Sequence, residues 1–138
     1  MLTVVAAVIE EDGKVLVCQR KRGDRFELLW EFPGGKLQGG ETPEEGLARE
    51  LREELGAECA VGAEVYRTEN RYAEMREAIE LIFFAVRVAP GEIHNVVFER
   101  MEWRAPESLE ELDFLEADRE FVRRLVRGEG GALGTGAS

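Results

Sequence analysis

The chain has 138 residues, 44% of them hydrophobic, which is enough to form one domain with its own core. Its formal net charge of −11 disfavours duplex DNA and anionic membranes as partners, and no apolar segment has the length of a transmembrane helix. The two cysteines have neither metal-site nor disulfide spacing, which favours a reducing cytoplasm. The chain has one histidine and two serines, which disfavours a Ser-His-Asp catalytic triad.

The N-terminal part of the chain is predicted to form a β-hairpin that leads into an irregular stretch. Residues 2–9 and 14–20 are apolar and flank Asp12-Gly13, a dipeptide that is typical of hairpin turns. A basic loop follows. The short apolar run Trp30-Glu31-Phe32 then meets Pro33-Gly34-Gly35, which is expected to interrupt regular structure.

The C-terminal part of the chain is predicted to contribute strands and a closing helix. Three strands are predicted, at 60–68, 77–88 and 98–104. The second of these is apolar enough to require a central position in a sheet. A helical turn after Pro106 and a helix that ends at Arg127 complete an α+β domain over residues 1–127. Residues 128–138 are rich in glycine and are expected to form a flexible tail, because they can bury little.

A helix is predicted over residues 43–55. Thr42-Pro43-Glu44-Glu45 has the form of a capping box with proline at the first helical position, so the helix start is well determined. At 100° per residue, one sector of this helix is apolar and faces the core. Its members are Leu47, Ala48, Leu51 and Leu55.

The same helix gathers three glutamates beside its apolar sector. Glu50, Glu53 and Glu54 form what we call the acidic ridge. Like charges at this spacing repel by about 0.2–0.5 kcal/mol per pair, so their clustering needs an explanation. One explanation is an ordinary solvated face, on which Arg49 pairs with Glu45 or Glu53. The other is a functional site, and the preceding residues favour it.

From Gly35 onward the chain matches the pattern G-x5-E-x7-R-E-U-x-E-E-x-G-U, where U is a bulky aliphatic residue. The matching residues are Gly35, Glu41, Arg49-Glu50-Leu51, Glu53-Glu54 and Gly56, and Ala57 is the single departure. This pattern resembles the signature of the Nudix hydrolases. Residues 30–36 and the strand order are similar to the MutT-like branch, the nucleoside triphosphate pyrophosphohydrolases. The resemblance implies a Nudix fold over residues 1–127, with a mixed β-sheet sandwiched between helices (α/β/α).

The resemblance also implies that Mg²⁺ or Mn²⁺ binds at the acidic ridge. These cations prefer hard oxygen ligands, and their charge would remove the repulsion among the glutamates. Glycine allows the backbone to come close to a metal, so a glycine carbonyl is a further candidate ligand. The expected ligands are Gly34, Gly35, Glu50, Glu53 and Glu54, with Glu99 as an extra ligand or base. The spacing from Glu99 to Trp103 departs from the MutT arrangement, so a Glu99 without a functional role is equally open.

Catalysis is expected to depend on Glu50, Glu53 and Arg49. Glu50 is the expected base that orients the attacking water, although the identity of the base varies within the family. Glu53 is the expected metal-binding partner of Glu50. Arg49 is expected to brace the site together with Glu41, because a guanidinium can hold a carboxylate through two hydrogen bonds and fix its direction.

Substrate binding is assigned from the same resemblance. The expected contacts are Arg20, Glu31, Phe32, Pro33, Gly34 and Asp118. Arg20 matches a MutT arginine that contacts phosphate, and the nearby Lys21, Arg22 and Arg25 either assist it or are simply solvated. Asp118 aligns with the MutT asparagine that recognises the base. An ionised carboxylate only accepts hydrogen bonds, which puts a strict preference for 8-oxoguanine in doubt.

A structural role for Asp118 is also open. Aspartate is a common N-cap residue, and Asp118 precedes a helical run with Phe121 and Leu125 on one face. An earlier helix start of the capping-box type, from Asp113 to Glu116, would instead place Asp118 one turn inside the helix.

The expected function is metal-dependent hydrolysis of a nucleoside or deoxynucleoside triphosphate to the monophosphate and pyrophosphate, by water attack at phosphorus. An oxidised purine such as 8-oxo-dGTP, or a cytidine nucleotide, is the leading substrate. The alternatives are hydrolysis of ADP-ribose or a dinucleoside polyphosphate, and an inactive nucleotide-binding module. The expected setting is the cytoplasm, with a small nucleotide as partner and neither nucleic acid nor membrane; a homodimer is left open.

Overall fold

The computed structural model describes residues 1–71, 77–89 and 91–128. Its strands are β1 (Leu2–Glu11), β2 (Lys14–Gln19), β3 (Trp30–Glu31), β4 (Gly34–Lys36), β5 (Cys59–Asn70), β6 (Ile79–Val88) and β7 (Arg100–Arg104). Its helices are α1 (Pro43–Leu55) and α2 (Arg119–Val126), with 3-10 turns at Pro106–Glu111 and Glu116–Asp118. Within these ranges, no helix combines the length and the hydropathy that crossing a membrane requires.

Strand β1 joins the parts of the sheet. It runs parallel to β6 along most of its length and antiparallel to β4 at Val4–Ala6. Its last residues pair with the start of β2, which in turn pairs with β3 and β7. Strand β5 lies outside β6. The sheet therefore has both parallel and antiparallel pairs, as predicted.

The predicted hairpin between β1 and β2 is present, but its ladder is short. Asp12 and Gly13 have φ values of 53° and 77°, and two positive values in succession are what a type I′ turn requires. Only Glu10 and Glu11 of β1 pair with β2, because the earlier residues of β1 pair with β4 and β6.

Two hydrophobic clusters lie on opposite faces of the sheet. Alternate residues of β1 enter each cluster, as the twofold period of a strand dictates. Leu47, Leu51 and Leu55 of α1 pack in one cluster, and Phe121 and Leu125 of α2 pack in the other. The sheet therefore lies between helices, which confirms the predicted α/β/α arrangement.

Helix α1 has the predicted bounds. Thr42 and Glu45 form the reciprocal capping box, with a bond from the Glu45 N–H to Thr42 Oγ1 of 3.1 Å. Gly56 ends the helix in the left-handed conformation at φ 63°. Because both ends are fixed and the leucines are fully buried, the rotation of α1 about its axis is fixed as well. That rotation decides where the acidic ridge points.

Strand β4 is a departure from the sequence prediction. Pro33-Gly34-Gly35 was expected to interrupt regular structure, yet Gly34–Lys36 pairs with β1. Gly34 has φ 154°, and a Cβ atom there would overlap the carbonyl oxygen of Val5. Glycine thus allows a close approach of two backbones here. Because glycine usually predicts an interruption of a strand, the sequence alone did not indicate β4.

The C-terminal helix also differs from the prediction. It is shorter than expected, because a 3-10 turn at Glu116–Asp118 precedes α2, and α2 ends at Val126 rather than Arg127. Of the predicted tail 128–138, only Gly128 belongs to the described residues.

Candidate active site

A cavity of about 470 Å³ opens beside the N-terminal half of β1. Its apolar lining comes from the starts of β1 and β6 and from the second 3-10 turn. Its charged and polar lining comes mainly from the β2–β3 loop, from α1 and from the second 3-10 turn, including Arg20, Glu31, Glu54 and Asp118. The predicted substrate residues Phe32 and Gly34 also line it. The cavity therefore combines an apolar wall with charged groups of both signs.

Two glutamates of the acidic ridge lie against each other at this cavity. The side chains of Glu50 and Glu54 interact with each other, and Glu54 Oε1 accepts a bond of 3.1 Å from the Gly34 N–H. Burial, followed by the charges of Glu31 and Glu50, raises the pKa of Glu54 to about 9. Burial also raises the pKa of Glu50. Two carboxyl groups held this close disfavour the state in which both are ionised.

Gly35 leaves the space that the Glu50 carboxyl group occupies. A Cβ atom at Gly35 would lie 2.5 Å from Glu50 Cδ and 2.6–2.7 Å from its two oxygens. Strand β4 therefore packs directly against the acidic ridge. This contact gives a physical reason for glycine at the first position of the sequence pattern.

Arg49 connects the acidic ridge to the loop before α1. Its Nε donates to Glu41 Oε2 at 2.6 Å and one terminal nitrogen donates to Glu41 Oε1 at 3.1 Å, so the expected Arg49–Glu41 contact is present in bidentate form. The other terminal nitrogen lies 3.2 Å from Glu50 and 3.3 Å from Glu53. The Arg49 hydrogen bond is the main reason that the pKa of Glu41 is lowered. Arg49 thus holds three carboxylates in place.

The remaining expected metal ligands are less closely associated. The side chain of Glu53 is 57% exposed and pairs with Arg49. The carboxylate of Glu99 accepts a bond of 3.2 Å from the Arg22 N–H, at the β2–β3 loop. In the part of the chain that the structure describes, no three Asp, Glu, His or Cys side chains are arranged to hold a metal ion. The donor chemistry of Glu50 and Glu54 nevertheless suits a hard divalent cation, whose charge would offset the repulsion between them.

Arg20 and Glu31 form a partly buried ion pair in the cavity wall. One terminal nitrogen of Arg20 lies 3.3 Å from each Glu31 oxygen, and its Nε donates to the Arg25 carbonyl at 3.0 Å. Burial raises the pKa of Glu31 to about 7, against the opposing effect of Arg20. Glu31 is therefore an acidic group of the cavity rather than a surface charge.

Asp118 is only 5% exposed, and the structure corrects both structural expectations for it. It occupies the position before α2 that the N-cap alternative gave it, but its backbone has helical angles and its side chain makes no capping bond. It also lies before α2 rather than one turn inside it. Its carboxyl group instead accepts a bond of 3.3 Å from the Phe32 N–H. This bond links the second 3-10 turn to the end of β3.

Burial also bears on the protonation of Asp118. Burial, followed by the charge of Glu31, raises the pKa of Asp118 to about 8. In its neutral form the carboxylic acid offers one O–H donor and one carbonyl acceptor. In that form it would be able to donate to a base carbonyl, which an ionised carboxylate cannot do.

One feature of the cavity has no signal in the sequence. Phe26 and Leu28, in the β2–β3 loop, have φ values of 62° and 64°. Left-handed backbone costs a residue with a side chain about 1–2 kcal/mol. A turn formed by glycine or asparagine would have been visible in the sequence, whereas Phe and Leu give no such signal.

A model of the NUDIX domain matches residues 1–125 of the chain. The chain belongs to the Nudix family. It is 38% identical over 118 residues to the CTP pyrophosphohydrolase of Escherichia coli K12, covering 86% of each chain. It is 32% identical over 127 residues to the 8-oxo-dGTP diphosphatase of Haemophilus influenzae, covering 91% of this chain and 92% of the relative.

Solved structures of Nudix proteins have the same fold. The solution structure of the E. coli ORF135 protein has a TM-score of 0.72 and 34% identity, covering 89% of this chain and 86% of its own. The crystal structure of the MutT protein from Methanosarcina mazei has a TM-score of 0.78 and 26% identity, covering 93% of this chain and 94% of its own. The predictions of the family, the fold class and a Nudix pyrophosphohydrolase are confirmed.

We predict that Gly35→Ala lowers kcat by about 10- to 100-fold, because the new Cβ atom takes space that the Glu50 carboxyl group occupies and displaces it. Gly39→Ala is the matched control, since a Cβ atom there meets nothing within 4 Å. Steady-state kinetics on the nucleotide that the wild type turns over measure both. Equal kcat in the two variants would show that Glu50 need not be held by β4.

Asp118→Asn should change how stability depends on pH. The folded-state pKa of Asp118 lies above the ordinary value of 3.8, at about 8, so the native state holds a proton that the unfolded state releases between these values. The stability from this group is complete below about pH 4 and is lost as pH rises toward 8.

The neutral amide of asparagine does not ionise, so the variant does not lose stability in this way as pH rises. Its amide oxygen can still accept the bond from the Phe32 N–H. The free energy of unfolding of the Asp118→Asn variant, relative to the wild type, should therefore rise by at least about 1 kcal/mol between pH 5 and pH 8. Urea denaturation at several pH values measures the difference. Asp12→Asn, in the exposed β1–β2 turn, is the control. A difference for Asp118→Asn that does not vary with pH contradicts the assigned protonation.

Proposed function

We propose that this enzyme hydrolyses a nucleoside or deoxynucleoside triphosphate to the monophosphate and pyrophosphate, using Mg²⁺ or Mn²⁺. The observation that carries this proposal is the Glu50–Glu54 pair, braced by Arg49, at the edge of a cavity that can accommodate a nucleotide. The names of the relatives support it, since they describe a CTP pyrophosphohydrolase and 8-oxo-dGTP diphosphatases.

The acidic ridge is the proposed metal site. Glu50, Glu53 and Glu54 would hold the cation together with a carbonyl of Gly34 or Gly35, and Glu99 is a candidate for an extra ligand or base. When bound, the cation neutralises phosphate charge and lowers the pKa of a coordinated water. Arg49 contacts both Glu53 and Glu50, which keeps the two carboxylates on the same side of α1.

The protein groups have separate proposed roles in the reaction. Glu50 accepts the proton of the attacking water and directs that water at phosphorus. Glu53 binds metal beside it, and Arg49 is a positioning residue for both. Arg20 binds phosphate from its place in the cavity wall, where Glu31 and the Arg25 carbonyl fix its guanidinium.

Asp118 is the proposed base-recognising residue. It is buried, it lines the cavity, and its raised pKa leaves it both a donor and an acceptor. A neutral carboxylic acid can donate to O6 and accept from N1–H of guanine or 8-oxoguanine, and it can donate to N3 and accept from the N4 amino group of cytosine. Phe32 and Gly34 line the wall beside it, with the Phe32 N–H holding the carboxyl group in place, and the buried Pro33 joins them. An oxidised purine nucleotide and a cytidine nucleotide are thus the leading substrates.

The proposed setting follows from composition. A formal net charge of −11 favours a small polyanion held at a local basic site over a nucleic-acid polymer or an anionic membrane. We place the enzyme in the cytoplasm, acting on the nucleotide pool. A homodimer is compatible with the proposal.

A nucleotide panel tests the proposal. Wild-type protein is assayed with CTP, dCTP, dGTP, 8-oxo-dGTP and ADP-ribose in Mg²⁺ or Mn²⁺, and the products are separated by chromatography. The expected result is monophosphate and pyrophosphate, lost in excess EDTA and restored by added metal. Release of two phosphomonoesters from ADP-ribose as the preferred reaction contradicts the triphosphate assignment, and full turnover in EDTA contradicts the metal site.

Two variants locate the chemistry on the acidic ridge. Glu53→Gln and Glu54→Gln should each lower kcat by at least about 100-fold, since each removes a metal-binding charge while the core leucines are untouched. Glu44→Gln, an exposed residue of the first turn of α1, is the matched control and should retain wild-type kcat. Wild-type kcat in both ridge variants would place the site elsewhere.

A further inference from the structure

The β2–β3 loop, residues 20–29, contains two residues in a conformation that their side chains disfavour. Phe26 and Leu28 both have positive φ, which is uncommon for residues other than glycine, asparagine and aspartate. The other described non-glycine residue with positive φ is Asp12, in the β1–β2 turn, where the residue type suits the conformation. The loop therefore holds strain that its sequence does not relieve.

Hydrogen bonds hold the loop in this shape. The Arg20 N–H donates to the Leu29 carbonyl at 2.9 Å, and the Leu28 N–H donates to the Arg20 carbonyl at 3.0 Å. The Gln19 side chain donates to the Leu28 carbonyl at 3.1 Å, and Arg20 Nε donates to the Arg25 carbonyl at 3.0 Å. Both ends and the centre of the loop are thus tied to the end of β2, so the conformation is fixed before a ligand arrives.

The two strained residues differ in what their side chains do. Leu28 is half-buried and does not line the cavity, whereas Phe26 lines the cavity and is 40% exposed. The Arg25 guanidinium lies 4.8 Å from the centre of the Phe26 ring. The Phe26 ring is thus accessible from the cavity although its backbone is strained. Such residues concentrate where a ligand is bound.

We propose that Phe26 packs against the nucleoside half of the substrate, a proposal that rests on the triphosphate hydrolase function above. Its ring lies on the same cavity as Asp118 and Arg20, so one nucleotide can meet all three. Stacking on an aromatic ring is tolerant of base identity, because every base has a π-face. Phe26 therefore adds affinity for nucleosides in general, Asp118 selects among bases, and Arg20 binds phosphate.

Phe26→Asn tests this role, because asparagine tolerates the left-handed backbone but offers no aromatic ring. Three quantities are measured: KM and kcat for CTP and dGTP, the inhibition constant of inorganic tripolyphosphate, and Tm. We expect KM to rise at least about tenfold for both nucleotides, with their ratio and kcat each within about threefold of wild type. The inhibition constant of tripolyphosphate, which has no nucleoside, should stay unchanged, and Tm should be equal or higher.

Two further variants make the test specific. Leu28→Asn relieves the same strain in the same loop without removing a cavity side chain, and its KM should stay at the wild-type value. Phe26→Tyr keeps the ring and should keep KM within about threefold. The inference is overturned if Phe26→Asn turns over both nucleotides with wild-type KM. It is also overturned if the inhibition constant of tripolyphosphate rises as much as the KM of the nucleotides. In either case the proposed function stands. If wild-type protein turns over neither nucleotide, the proposed function fails first.

Discussion

The close approach of carboxyl groups at the edge of the cavity is the constraint on which the rest of the site depends. The side chains of Glu50 and Glu54 interact with each other, and burial together with the charge of Glu31 raises the pKa of Glu54. Partly buried acids in this arrangement need a proton or another cation between them. The capped helix α1, the glycine strand β4 and the Arg49 guanidinium hold them there in spite of the repulsion.

Contacts from several parts of the fold hold these carboxyl groups in place. The fully buried leucines fix the rotation of α1, and Gly34 donates a backbone N–H to Glu54. Arg49 balances part of the negative charge and ties α1 to Glu41. Glu50 and Glu54 are therefore held by tertiary contacts, whereas Glu53 is 57% exposed. The i,i+4 pair of Arg49 with Glu53, which a solvated face also predicts, is one part of this larger network.

The sequence predicted most of the features that depend on local patterns. The bounds of α1 followed from its capping box and leucine spacing, and the type I′ turn followed from Asp12-Gly13. Features that depend on tertiary packing were missed. Strand β4 exists because two backbones approach closely at Gly34, and the pKa of Asp118 is raised because the fold buries it near Glu31. The strained conformation of Phe26 depends on bonds to the end of β2, which no local pattern reveals.

The central claim is that the acidic ridge binds a divalent cation, and thermal unfolding in Mn²⁺ without nucleotide tests it most directly. Wild-type Tm should rise with Mn²⁺ concentration, by about 5–10 °C at roughly a hundredfold excess over Kd, because the cation binds the native state. The variant in which Glu50, Glu53 and Glu54 are all changed to Gln should show no such rise. A rise of equal size in that variant would contradict the account, because the cation would then bind elsewhere.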